Sequence, residues 1–235
     1  LMWLWGDVPF SFIPTSEAGS NVMPVASRDS INNVLITDLR EAAPHMQFSH
    51  SLNDGIERVS KEFCWAMIAR IALTEGGYSL HPDKTNNTYG IMERPNNYKD
   101  YYQIAHQYCD SIINSGTHKL TNSYTDVFVD ECNYTVAQGD DPIFEIPFTQ
   151  NTSGNIGYLY GPKLSMNGTK GISTWGGASS NAQVSVFYRY SFDPRDLRLK
   201  YIDGLWNYTA TTNAAGSDSI AINPNFTYTL YNNKW

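Results

Sequence analysis

The chain has 235 residues, 41% of them hydrophobic, enough to bury a core in one large domain or two small ones. Its formal net charge is −7 with only 16 Lys and Arg and no basic run. That balance argues against electrostatic capture of nucleic acid or anionic lipid, and it disfavours a strongly anionic polysaccharide unless a local field overrides it. No uncharged apolar stretch reaches the ~20 residues of a membrane helix, because Phe63 to Ala69 is soon broken by Arg70 and Glu75.

The first half has a helical period. From Ser27 to about Ala43, Ile31, Val34, Leu35, Leu39 and Ala42 recur on one face, with Ser27 as the N-cap and Pro44 just past the end. Asn53-Asp54-Gly55 is a turn signal. From Ile56 the positions Val59, Phe63, Ala66, Met67 and Ile71 follow the helical period until Gly76-Gly77. Between Glu62 and Glu75 the sole charge is Arg70, so this helix is apolar nearly all round and belongs at the centre of a helical layer, with Trp65 in its core. A third helix runs from about Tyr98 to Ser115, placing Tyr102, Ala105, Cys109, Ile112 and Ile113 inward and closing at Gly116.

Beyond Asp141 that period fades. Ile143 to Phe148 alternates loosely and predicts a short strand, with Pro147 favouring an edge. Gln150 to Ser185 is dominated by Gly, Asn, Ser and Thr, and a structureless loop of that length is either functional or disordered; its aromatics argue against disorder. Gln183 to Tyr190 fits a strand or a helical turn, and Thr227 to Tyr231 reads as a strand.

Catalytic signatures are missing. There is no Gly-x-Ser-x-Gly elbow, His-Glu-x-x-His, phosphate-binding glycine loop or Cys-x-x-Cys. A glycosidase needs two carboxylates about 5–10 Å apart, and none lies between Ile146 and Phe192. The acids Asp126, Asp130, Glu131, Asp140, Asp141 and Glu145 gather instead in what reads as a solvated loop. His45, His50, His106 and His118 read as surface histidines, and His81-Pro82-Asp83 as a turn. The three cysteines form no disulfide framework: Cys64 and Cys109 read as small buried hydrophobes and Cys132 as a loop residue. No metal site and no cofactor is expected.

Aromatic side chains carry the remaining signal. With 16 Tyr and 6 Trp, many in polar, Gly-rich loops, the chain offers flat rings that stack on sugar faces while Asn, Gln and Thr bond the hydroxyls. Each ring has a plainer reading as a plug in a core or a pin for a loop. Trp175, in Thr174-Trp175-Gly176-Gly177, is the leading ligand-binding candidate because its glycines leave room for approach; Tyr158 and Tyr160 follow, then Trp206.

An ordered string of motifs runs through these segments. Leu4-Trp5-Gly6-Asp7-Val8-Pro9-Phe10 comes first, then Asp38-Leu39-Arg40-Glu41-Ala42, Ala66/Ala69-Arg70/Leu73 and Tyr101-Tyr102-x-x-Ala105 leading to Ile112-Ile113-x-x-Gly116. Tyr124-x-x-x-Phe128, Pro142-Ile143-Phe144-Glu145-Ile146-Pro147-Phe148, Asp193-Pro194-Arg195-Asp196-Leu197-Arg198 and Lys234-Trp235 complete it. In order and spacing the string resembles the SusD/RagB family, the outer-membrane nutrient-binding lipoproteins of Bacteroidetes. The resemblance implies a mainly α fold, with tetratricopeptide-like antiparallel helix pairs as scaffold and an irregular loop-rich region with short strands. It implies a helical scaffold over 1–141 and a ligand-binding part over 142–235 packed on it, in one SusD-like domain. The chain begins at Leu1 without an initiator Met, signal peptide or lipobox cysteine and so reads as an internal segment.

By the same resemblance the protein binds an oligosaccharide at the extracellular face of the outer membrane. It is lipid-anchored there and delivers the ligand to a SusC-like TonB-dependent transporter without catalysis. A helical-repeat scaffold for protein interactions is the alternative from another class, and a peptide-binding member of the same family is a third reading.

Overall fold

The computed structural model describes residues 2–82, 90–121, 123–133, 135–136, 138–149, 156–161, 164–166, 181, 183–204, 207–212, 218–223 and 230–232. They fall into two compact units, Leu1–Leu120 with Gln138–Ile146, and Thr121–Ala137 with Pro147–Trp235.

The first unit opens with α1 (Met2–Trp5), β1 (Val8–Pro9), α2 (Thr15–Ala18) and β2 (Val25–Ala26). β1 and β2 pair antiparallel, Val8 opposite Ala26 and Pro9 opposite Val25. This ladder brings Asp7 to the start of α3 (Arg28–Ala42), where its Oδ1 accepts the Arg28 N–H at 3.0 Å. Ser27 occupies the N-cap position, but its side chain makes no capping bond; a carboxylate 21 residues upstream supplies the acceptor instead. The Gly6-Asp7-Val8-Pro9 motif is thus a clasp on the first long helix.

The layer consists of α3, α4 (Lys61–Glu75) and α5 (Tyr98–Ser115), with β3 (Ser79–His81) and β4 (Ile91–Glu93) as an antiparallel hairpin between the last two. α4 packs on both neighbours and is the central helix, as its nearly uniform apolarity predicts. Asn32, near the start of α3, bonds Glu75 at the end of α4. Gly76, just past α4, faces Tyr98 and Tyr102 at the start of α5. Both pairs are therefore antiparallel. The core joins Ile36, Ile68, Ala72, Tyr101 and Ala105, flanked by Leu39, Ile71, Ile104 and Tyr108.

Three details differ from the sequence reading. α4 begins at Lys61 rather than near Ile56, because Ser60 caps it by accepting the Phe63 N–H at 3.2 Å, and Gly55–Glu57 forms a separate 3-10 turn. The inward face of α5 is rotated: Tyr101, Ile104, Ala105 and Tyr108 pack, while Tyr102, Cys109 and Ile113 are exposed, since the Tyr101 ring buries far more apolar surface than the Cys109 thiol would. Ile143 to Phe148 forms no strand; Pro142 and Pro147 lack donors, and the Glu145 N–H bond to the Ile56 carbonyl at 3.1 Å helps hold the segment.

The second unit contains α6 (Tyr124–Cys132), α7 (Ile156–Tyr160) and β5 (Leu164–Met166), then helices Val186–Tyr190 and Leu197–Ile202. β6 (Asp203–Gly204) pairs with β9 (Tyr231–Asn232), while β7 (Asn207–Thr212) lies between β8 (Asp218–Asn223) and β5. Asp126, Asp130, Glu131 and Cys132 lie on α6, not in a loop. The Tyr124-x-x-x-Phe128 spacing puts two rings one turn apart, 5.2 Å between centroids, and both meet the Tyr201 ring. Of Gln183 to Tyr190, Val186–Tyr190 is a helix and the three residues before it are irregular, and the predicted loop from Gln150 to Ser185 holds α7 and β5. Of the predicted Thr227–Tyr231 strand, Tyr231 lies in β9, and Thr227 to Thr229 are outside the described residues. The chain is mainly helical with short strands, and no described helix is long and apolar enough to cross a membrane.

Candidate ligand-binding site

Two of the four predicted ligand residues are visible. Tyr158 and Tyr160 sit on α7, 56% and 40% exposed, two residues apart and so on different sides of the helix. The Asn181 N–H donates to the Leu159 carbonyl at 2.8 Å and ties α7 to the chain beyond it. Trp175 and Trp206, like Lys234 and Trp235, lie outside the described residues.

The structure adds a surface that the sequence reading took only for secondary structure. On the helix Val186–Tyr190, Phe187 is 88% and Tyr190 81% exposed, and their i, i+3 spacing puts both on one face. Tyr188 turns the other way and packs edge-on against Phe192 at 5.0 Å. The strand-like chain before this helix is pinned by the Val184 N–H to the Leu230 carbonyl at 3.0 Å. Two exposed rings side by side form a contiguous apolar patch, the kind of feature that marks an interaction surface, whereas singly exposed apolar residues do not. A signal was present: Phe187-Tyr188-Arg189-Tyr190 sets three aromatic residues in four positions.

Immediately after it, the Asp-x-Arg segment folds into two successive ion pairs. Arg195 forks onto Asp193 and Arg198 onto Asp196, each Asp also accepting the backbone N–H of its Arg. Side-chain and backbone bonds from these arginines hold both carboxyls below the usual aspartate range. The motif is a local staple whose charges are satisfied within it.

In the first unit a groove of about 620 Å³ is lined by Leu52, Asn53, Asp54, Glu57, Val59 and Phe144 together with Arg58. Gly55 has φ +53, and the Gln138 side chain occupies the space a Cβ would need. Phe144 is held beside Phe63, 4.6 Å between centroids, by the bond from Glu145 to Ile56. Arg58 pairs with Asp54 at 2.7 Å, so within the groove these two charges neutralise each other.

Several single-residue readings change. His118 is buried, not superficial: its Nδ1 donates to the Asp140 carbonyl at 3.1 Å, and its Nε2 faces Glu62 Oε1 at 3.8 Å. His81 ends β3 rather than making a turn, bonded to Ser79 and Arg28. Trp65 is only half-buried, edge-on to Phe48 at 5.8 Å. Cys64 is buried as expected, Cys109 is exposed, and Cys132 is exposed at the end of α6. Among the described residues no group of three or more His, Cys, Asp or Glu is placed to hold a metal ion.

Antiparallel helix pairs in one unit, and short helices and strands with exposed rings in the other, are a combination that solved structures share. A SusD homologue from Bacteroides thetaiotaomicron superimposes with a TM-score of 0.60 and 18% identity, over 83% of this chain and 35% of that one. A SusD superfamily protein from Bacteroides fragilis does so with a TM-score of 0.58 and 12% identity, over 97% of this chain and 44% of that one. The fold is therefore SusD-like, and the chain spans less than half the length of either structure. No family model and no curated protein sequence matches it.

Proposed function

We propose that this chain is part of a SusD-type surface protein that binds an oligosaccharide and delivers it to a SusC-like TonB-dependent outer-membrane transporter, without catalysis. The observation that supports this most is the SusD-like fold extending over 83% and 97% of the chain in the two comparisons. SusD-like proteins are in general binding proteins of nutrient uptake, lipid-anchored at the extracellular face of the outer membrane. In this reading the part from 142 to 235 supplies the ligand contacts, through Trp175, Tyr158, Tyr160 and Trp206. The exposed face of Phe187 and Tyr190 joins them as a further stacking surface.

The test is affinity electrophoresis of the full-length protein through gels containing plant, host or microbial polysaccharides. Retardation by one glycan is expected, weakened in Trp175→Ala and in Phe187→Ala by ~1–3 kcal/mol, the scale of a stacked aromatic. If the folded protein is retarded by no glycan but binds peptides, it is a peptide receptor on the same fold. If it binds neither, the helical-repeat scaffold takes its place.

A further inference from the structure

At the end of the layer where α3 finishes and α4 starts, a second cavity of about 130 Å³ opens between Arg40, Ala43, Pro44, Lys61, Trp65 and Tyr108. Its wall combines two cations with two aromatic residues from three different helices. Neither Arg40 nor Lys61 has a carboxylate partner among the described residues, although the chain carries 23 Asp and Glu against 16 Lys and Arg. The charge here is opposite in sign to that of the protein as a whole.

The placement of Lys61 is unfavourable for its own helix. Arg40 lies in the last turn of α3, where a cation is welcome; Lys61 is the first residue of α4, where the helix dipole repels it. Lys61 Nζ sits 4.9 Å from the Phe48 ring centroid, and Phe48 in turn packs against Trp65. The cavity therefore brings together two cations that no carboxylate side chain pairs with among the described residues, and an anion bound there meets both.

We infer that this cavity binds a carboxylate carried on a sugar-sized ring, a uronic acid residue borne singly on an otherwise neutral glycan. The volume exceeds a lone carboxylate and equals that of several waters, each needing about 10–15 Å³ on this measure. An aspartate or glutamate side chain would satisfy the cations but leave the accessible parts of the half-buried Trp65 and Tyr108 uncovered. A polyanion is repelled by the net charge of −7, whereas an isolated uronate meets only the local field. The choice of a sugar over another ring rests on the glycan-binding reading; the cationic pair does not.

The full-length protein is titrated with methyl β-glucuronide, methyl β-glucoside and acetyl-glutamyl amide, read by saturation-transfer NMR and Trp fluorescence. The glucuronide is expected to bind about tenfold tighter than the glucoside, and Arg40→Gln and Lys61→Gln each to weaken it about fivefold, as removal of one charge-assisted bond does. Arg70→Gln, the same charge change on the exposed side of α4, leaves it unaltered. Equal affinity for glucoside and glucuronide, or an Arg40→Gln/Lys61→Gln variant that behaves like Arg70→Gln, overturns the assignment. So does a glutamyl amide that matches the glucuronide, which marks an acidic-peptide site. Retention of the protein by a neutral polysaccharide with no glucuronide response sinks this inference alone and leaves the glycan-binding reading standing.

Discussion

The Ser49 backbone N–H donates to both carboxylate oxygens of Glu62 at 3.1 Å, and the Ser49 hydroxyl donates to Oε1 at the same distance. Glu62 lies in the first turn of α4 and is fully buried. Burial pushes its carboxyl up, but the backbone and hydroxyl bonds from residues 49, 60 and 62 outweigh it and hold the group below its ordinary value of 4.5. Because the folded value is depressed, the stabilisation is complete above the unfolded value and is lost as pH falls through the folded one. Glu62→Gln should cost about 1–3 kcal/mol at neutral pH, because an NH2 donor replaces one of the two acceptor oxygens facing the Ser49 N–H and the remaining bonds lose their charge assistance, and it should flatten the acid limb of a denaturation series measured into the acid range.

Glu75, at the other end of α4, behaves oppositely. Burial raises it most, the Asn32 amide at 2.7 Å pulls it back, and the neighbouring Asp29 carboxylate raises it again, leaving it above the ordinary value. A raised carboxyl binds its proton more tightly in the folded chain, so stability declines as pH rises from the unfolded value through the folded one. Glu75→Gln keeps the acceptor for Asn32 without the buried charge. Its melting midpoint should equal or exceed that of the parent near neutral pH, with the gap closing as the pH is lowered.

Asp7, not Ser27, satisfies the first turn of α3. Asp7→Ala should destabilise the first unit by about 0.5–2 kcal/mol, the range for losing a helix cap, and Ser27→Ala should be neutral. Urea denaturation of both variants decides the matter; equal losses would assign the cap to both residues.

Close approach of α4 and α5 depends on small residues. A Cβ at Gly76 would come within 2.6 Å of the Tyr102 ring and 3.0 Å of the Tyr98 carbonyl, and Ala72 is completely buried between the helices. Gly76→Ala and Ala72→Leu should each cost about 1–3 kcal/mol by overpacking, while Ala66→Leu, at a half-buried position, costs less. Thermal unfolding of the three variants gives the ranking, and an Ala72→Leu midpoint at the parent value would mean the helices part without penalty.

The helical layer was legible because its signals are local and repeat: apolar spacing gave all three long helices, and Gly116, with φ +65, closes α5 where expected. The rotation of α5 was not legible, since Tyr101 and Tyr102 are adjacent tyrosines and only their partners on α4 decide which is buried. The strands β7 and β8 escaped notice because Asn, Thr and Ala dilute their alternation, although Ile220 and Ile222 keep the two-residue period. His118 and Glu62 looked like ordinary polar residues, and their burial arises from a contact 56 positions apart in sequence. For the ligand surface, isolated tryptophans in glycine-rich chain drew attention, while the contiguous run ending at Tyr190 read as an element and not as an exposed face.

The two units interleave along the chain: the first claims residues up to Leu120, yields to the second from Thr121 to Ala137, and returns for Gln138–Ile146. Neither unit can therefore be cut from the gene as one uninterrupted stretch. The Lys119 N–H bond to the Gly139 carbonyl at 3.2 Å and the His118 Nδ1 bond to the Asp140 carbonyl close the neck of the excursion, so the chain leaves the first unit and returns to it at neighbouring points. Truncation at any single point before Ile146 removes part of both units.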